Sequence, residues 1–262
     1  MIHETSVVSD SATIHPSVKI GPFCFIDSNV KIGKNNNLIS HVHITGNTII
    51  GDNNNFFPFC SIGTMPQDLK FEGEKSYLEI GSYNTFRENV TINPGTKGGG
   101  LKTVINNNCL FMVSSHVAHD CLIKSNVILA NNATLAGHVE IFENAIIGGN
   151  SAIHQFVKIG KYAMIGGMSG VEKDIIPYGL YTGIRTDLKG INIIGLKRKG
   201  LKTSEINIII KVIKSIFIKD NSIEKNIKNL PIDFLKINEV NEIIDFIKNY
   251  SQKRGICRYS DG

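Results

Sequence analysis

The sequence predicts a parallel β-helix, a prism of short stacked strands, followed by a small α-helical domain. Three observations carry this reading. An aliphatic residue recurs at every sixth position, small residues recur at fixed offsets from it, and the recurrence stops before the last third of the chain. The series runs Val8, Ile14, Ile20, Ile26, Ile32, Leu38, Ile44, Ile50, Phe56, Ile62, then Ile80, Phe86, Ile92, then Ile105, Phe111, Val117, Ile123, Leu129, Leu135, Ile141, Ile147, Ile153, Ile159, Ile165 and Val171. A helix spaces its apolar residues near 3.6 and a half-buried strand alternates, so neither element fits. Repeats outrank local propensity in deciding a fold.

Gly or Ala often follows the aliphatic residue, as at Gly21, Gly51, Ala118, Ala136 and Gly148, and a small or β-branched residue often stands four after it, as at Cys24, Val30, Cys60, Cys121 and Val139. One large and one small inward position per six residues suit a short strand that turns a tight corner. Three such strands close a triangle, so one coil takes about eighteen residues, and successive coils pair at roughly 4.8 Å. The repeats then make about eight coils and a prism on the order of 40 Å long.

Two stretches break the period and are expected to project as loops: residues 64–77, and residues 93–102 with the run Gly98, Gly99, Gly100. Long loops in a compact repeat are usually functional or disordered, and the first is read as functional. The period ends after Val171, and Pro177 marks the change. The chain therefore divides into a β-helix, residues 1–185, and a helical part, residues 186–262. Apolar residues at helical spacing predict a helix over residues 204–219, a second capped by Ser222 and ended by Pro231, and a third capped by Asn238.

The net charge of +5 is modest, and no aromatic-interleaved basic surface argues for nucleic acid. No uncharged run approaches the ~20 residues of a membrane span. The first ten residues lack a basic, long apolar signal segment, so a soluble cytoplasmic protein is expected. Cys24, Cys60, Cys109 and Cys121 occupy the small inward position and read as buried thiols; Cys257 carries no signal.

Four of the eight histidines, His116, His119, His138 and His154, lie between residues 116 and 154. Eighteen residues after His119 comes Gly137, and eighteen further Gln155. His138 and His154 stand one residue either side of that column, so three successive coils bring four imidazoles and Gln155 to one edge. Two chemistries can use such a cluster: a histidine general base, with Asp120 beside His119 to orient the ring, or a zinc site. The earlier histidines read as solvent-facing.

The segments Gln67-Asp68-Leu69-Lys70, His116-Val117-Ala118-His119-Asp120-Cys121, the run from Leu129 to Val139, His154-Gln155-Phe156, and Asn192 followed by Gly195-Leu196-Lys197-Arg198 together resemble the UDP-N-acetylglucosamine O-acyltransferases that begin lipid A synthesis. The resemblance runs from near the N-terminus into the helical part and implies a left-handed winding. It implies transfer of a 3-hydroxyacyl chain from acyl carrier protein to the glucosamine 3-hydroxyl. Carried over, His119 is the general base, Asp120 its partner and Gly137 the oxyanion donor. Gln67, Asp68, Lys70, His116, His138, His154 and Gln155 then contact substrate, and Gly167 limits acyl length. Asn192, Arg198 and Lys199 fall where the family handles the nucleotide and phosphates. Where the family commonly has two arginines this chain has Arg198-Lys199; lysine keeps the charge and loses the bidentate fork. Ile194 stands where a glutamate is often found.

No metal or other cofactor is expected, the donor being carried on the phosphopantetheine of acyl carrier protein, and a homotrimer with sites between subunits is implied. Two alternatives stand beside this. The N-acyltransferase of the same pathway carries an extra N-terminal domain, whereas the repeat here starts at Val8. A zinc-dependent γ-type carbonic anhydrase shares the prism, but the His116–His119 spacing does not match its ligands.

Overall fold

The computed structural model describes residues 1–218, 221–250 and 253–259. The repeats wind into a left-handed parallel β-helix with three flat faces. The first face is a nine-stranded sheet beginning at Val7–Val8, the second an eight-stranded sheet beginning at Thr13–Ile14, and the third a ten-stranded sheet beginning at Lys19–Ile20. Register follows the eighteen-residue coil, as in Val117 opposite Leu135 and Leu135 opposite Ile153. The aliphatic series fills the interior and is almost entirely buried, and its aromatic members form a column, Phe56 on Phe86 at 4.8 Å and Phe86 on Phe111 at 4.9 Å.

Most corners turn on a residue three after the aliphatic one, held in the left-handed region. Asn35, Asn53, Asn89, Asn108, Asn126, Asn132, Asn144 and Asn150 take this role with φ between 55° and 62°. Asparagine tolerates that region better than most side chains, so this third periodicity has a physical cause. Buried Asn36, Asn54 and Asn84 stand where other coils carry the small inward residue. The Asn54 amide donates to Asn36 Oδ1 at 2.9 Å, and the Asn84 backbone N–H donates to Asn54 Oδ1 at 2.8 Å.

Both period breaks leave from the same edge, between the first and second faces. Tyr77 pairs with Asn47 across the first insertion, and Lys102 pairs with Tyr77 across the second. The sheet register is therefore restored after each one, and the inserted residues are extruded as loops over that edge.

The helical reading from residue 186 onward is corrected at its start. Asp187–Ile191 is a strand antiparallel to Gly179–Thr182, closing the third sheet. Helix α1 (Ile193–Lys199) follows, which the sequence reading did not separate; α2 (Thr203–Ile216), α3 (Ile223–Lys228) and α4 (Asn238–Tyr250) complete the layer. Ser222 caps α3 as expected, accepting from the Lys225 N–H at 3.2 Å. Asn238 is instead the first residue of α4, and its side-chain amide donates to Glu242 Oε1 at 2.7 Å. The expected end of the first helix, Lys219, lies outside the described residues. Residues 253–257 turn back onto the last coil, where Ile256 bridges to Asp174 and Cys257 is buried. Cys257 is thus a packed residue after all. Among the described residues, no helix is long and apolar enough to cross a membrane.

Candidate active site

The edge between the first and second faces carries the histidine cluster. Strand His116–Val117 leads to His119 and Asp120, the next coil brings Gly137 and His138 to the same corner, and the one after brings His154, Gln155 and Phe156. Asp120, His138 and Phe156 all occupy the left-handed corner position, with φ of 60°, 60° and 68°. Aspartate and histidine are among the few side chains common there, whereas phenylalanine is not.

His119 is 8 % exposed and its Nδ1 lies 2.8 Å from Asp120 Oδ2. An ionised carboxylate only accepts, so Nδ1 carries the proton and Nε2 keeps its lone pair. Asp120 also accepts from the Thr96 N–H at 2.9 Å and from its hydroxyl at 2.7 Å, while the Asp120 N–H donates to Thr103 Oγ1 at 2.8 Å. Burial alone raises the Asp120 carboxyl, but the bonds from His119 and Thr96 outweigh it and hold it below the usual carboxylate range. Thr96 belongs to the second loop, whose Gly99 lies on the carboxylate: a β-carbon there would sit 2.0 Å from Asp120 Cγ. Glycine at residue 99 therefore permits a close approach that fixes the pair.

Gly137 meets the other side of the ring. A β-carbon there would sit 2.6 Å from His119 Nε2, and among the described residues its N–H has no acceptor. His116 Nδ1 is 2.7 Å from Thr91 Oγ1, and burial, with His119 nearby, pushes this imidazole down. His138 meets His119 edge-on at 5.1 Å and stacks on Phe156 at 4.4 Å; burial lowers it too, against the pull of Asp120. Both neighbouring imidazoles, His116 and His138, are thus biased toward the neutral form.

His119, Asp120 and His138 each place one ligand atom within 4.8 Å of the others. Asp120 Oδ2 already accepts from the Thr96 hydroxyl and from His119 Nδ1, so His119 and Asp120 are engaged with each other as a hydrogen-bonded pair.

A cavity of about 720 Å³ opens beside the ring on the first face, lined by His116, His119, Gly137, Gln155 and, from the first loop, Gln67, Asp68 and Lys70. The two loops are tied together, the Lys97 N–H donating to Glu74 Oε1 at 2.8 Å and the Asn93 amide to Thr64 O at 3.0 Å. Both loops therefore border the site, not the first alone. His154 is exposed and does not line this cavity; it borders a separate hollow with Glu172, Lys173, Lys253 and Arg254.

The remaining expected residues lie elsewhere within one chain. Gly167 is exposed at the opposite edge of the first face, stacked over Gly149. Asn192 sits by the third edge, where its side chain caps α1 by accepting from the Gly195 N–H and donates to Tyr162 O at 2.8 Å. Lys199 pairs with Glu239 and donates to the Tyr178 hydroxyl at 3.0 Å, and Arg198 is exposed. Sequence reasoning missed Thr91, Thr96 and Thr103, which no repeat marks; Gly98–Gly100 was the one hint that the second loop packs closely.

Residues 174–257 match the family described as UDP-N-acetylglucosamine O-acyltransferase, domain 2. A protein from Thermodesulfovibrio yellowstonii named acyl-[acyl-carrier-protein]–UDP-N-acetylglucosamine O-acyltransferase is 47 % identical over 98 % of this chain and 99 % of its own. A relative of the same name from Rickettsia canadensis is 46 % identical over 98 % of this chain and 97 % of its own. Among solved structures, LpxA from Acinetobacter baumannii is similar with a TM-score of 0.94 at 41 % identity, over 98 % of this chain and 99 % of that one.

Proposed function

The chain belongs to the UDP-N-acetylglucosamine O-acyltransferase family, and from that premise we propose how its residues move an acyl chain from acyl carrier protein to UDP-N-acetylglucosamine. The observation that carries the reading is the buried His119–Asp120 pair beside a Gly137 N–H that has no acceptor among the described residues. His119 Nε2 takes the proton of the glucosamine 3-hydroxyl as that oxygen attacks the thioester carbonyl of a 3-hydroxyacyl donor. The carbonyl oxygen becomes an oxyanion held by the Gly137 N–H. Collapse of the adduct breaks the carbon–sulfur bond, and the departing phosphopantetheine thiolate recovers the proton from His119. Asp120 holds the tautomer and stabilises the imidazolium in between. A positioned base contributes about 10²–10⁴-fold and one oxyanion donor about 10²–10³-fold.

Gln67, Asp68 and Lys70 roof the cavity, with His116 and Gln155 along its walls, and this supports their contact with the sugar and the acyl chain; His138, against the His119 ring, and His154, beside Gln155, are assigned to substrate by the family resemblance. The first face between the His119 edge and Gly167 presents Thr134, Ala152 and Gly170, small residues over which an extended acyl chain fits. The distance of Asn192, Arg198 and Lys199 from that edge is accounted for by a homotrimer in which these residues come from the adjoining subunit. The reaction as written needs no resident cofactor.

The test is acyl transfer from 3-hydroxyacyl carrier protein to UDP-N-acetylglucosamine by wild type and His119→Ala. Loss of about 10²-fold or more is expected, and equal rates remove His119 from the mechanism. Preference for a free-amine acceptor points instead to the N-acyltransferase, and stoichiometric zinc on elemental analysis to the metal reading.

A further inference from the structure

We propose that Arg254 is a positioning residue of the transfer site, holding His154 as the tautomer whose Nε2 carries the proton toward substrate. The inference rests on the proposed contact of His154 with substrate.

Arg254 Nη2 lies 2.6 Å from His154 Nδ1, and Arg254 Nε donates to the Gln155 carbonyl at 2.7 Å. A guanidinium has donors and no acceptor, and it does not lose its proton in a protein. His154 Nδ1 must therefore accept, which leaves the single ring proton on Nε2. The competing arrangement has Nδ1–H donating to Gln155 O, 3.3 Å away. It would set two donors against each other at 2.6 Å, and that carbonyl already has the Arg254 Nε–H. One arginine thus fixes two adjacent corner residues, a ring tautomer and a backbone carbonyl.

The segment bearing Arg254 is built into the prism. The Asp174 N–H donates to Gly255 O at 2.9 Å, the Cys257 N–H to Asp174 O at 2.8 Å, and the Leu188 N–H to Arg258 O at 3.0 Å. Ile256 and Cys257 are buried beneath it. Lys253, next in line, lies over the Phe156 ring at 4.8 Å, and Phe156 in turn stacks on His138. The segment therefore touches two columns of the edge at once. A hollow of about 290 Å³ beside His154 is lined by Glu172 and Lys173 from the last coil and by Lys253 and Arg254. Among the described residues, these charged side chains share that hollow with the ring. The sequence gives no sign of the pairing, since a hundred residues separate Arg254 from His154.

Two measurements on the full chain test this. In a double-mutant cycle, Arg254→Ala should lower kcat/KM for UDP-N-acetylglucosamine by about 10-fold or more, the size of a hydrogen bond to a charged group. The same change in a His154→Ala background should cost less than about 2-fold, because the arginine then has no ring to position. Arg254→Lys keeps the charge but offers no fork to span both acceptors, and should recover little. Independently of activity, long-range ¹⁵N spectra of histidine-labelled protein should show His154 as the Nε2–H tautomer in the wild type. They should show a tautomer mixture in Arg254→Ala, or in Arg254→Lys if the alanine variant does not fold. Additive losses in the cycle, or an unchanged tautomer, overturn the proposal. If His154→Ala is fully active while the tautomer still follows Arg254, the substrate role of His154 fails and the positioning stands.

Discussion

Gly137→Ala tests the packing of the catalytic ring most directly. A β-carbon at residue 137 lies 2.5 Å from His119 Cε1 and 2.6 Å from Nε2. Carbon contacts are comfortable at about 3.5–4.0 Å, so the ring must withdraw by roughly 1 Å. It cannot do so freely, because Nδ1 is bonded to Asp120 at 2.8 Å and His138 meets the ring at 5.1 Å. A displacement of about 1 Å at a reacting atom commonly costs about 10²-fold, and kcat should fall by that factor. The backbone itself is permissive, since Gly137 is not among the residues with positive φ. The ring borders an open cavity, so the melting temperature should change little. The assay is steady-state transfer from 3-hydroxyacyl carrier protein to UDP-N-acetylglucosamine, alongside thermal melting. A Gly137→Ala enzyme with wild-type kcat refutes the claim that glycine is required there to seat the ring.

Three further outcomes follow from the electrostatics. Asp120 has its folded pKa depressed, so its ionised form contributes stability at neutral pH that is lost as the pH falls through that value. Thr96→Val removes the 2.7 Å hydroxyl bond and should move acid unfolding to higher pH, read by circular dichroism from pH 7 downward. Asp174 behaves oppositely. Burial raises its carboxyl to about 6, so its contribution is complete at low pH and is lost as the pH rises through about 6. Asp174→Asn, which can keep the 2.8 Å bond from the Lys158 N–H, should therefore gain on the order of 2 kcal/mol relative to wild type between pH 4 and pH 8, measured by urea unfolding. An unchanged difference across that range counts against a buried, strained carboxylate. Burial pushes the Cys60 and Cys121 thiols up to about 12 and those of Cys109 and Cys257 to about 11. Since the thiolate is the reactive form, iodoacetamide at pH 8 should label the folded protein far more slowly than the unfolded chain, by mass spectrometry.

The prism was legible because its rule is local. Each coil needs one large and one small inward residue per face, and a neighbour eighteen residues away, so composition at fixed offsets suffices. The same arithmetic placed Gly137 and Gln155 over His119, and the His138 N–H does donate to His119 O at 2.9 Å. A third regularity, asparagine at the left-handed corner, was equally present in the sequence and went unread. The strand Asp187–Ile191 and helix α1 were obscured because the chain changes there from the six-residue rule to ordinary packing.

By itself the sequence determined the winding, the edge at which the histidines meet, the loops that leave from it, and the family. Only the tertiary structure decided that Thr96 and Gly99 clasp Asp120, that Asn192 and Lys199 are engaged on another edge, and that Arg254 reaches His154. The physical reason is one of range. Periodic stacking fixes residues whose separation is a multiple of the coil, whereas loops and the returning segment meet the prism through single contacts that no repeat encodes.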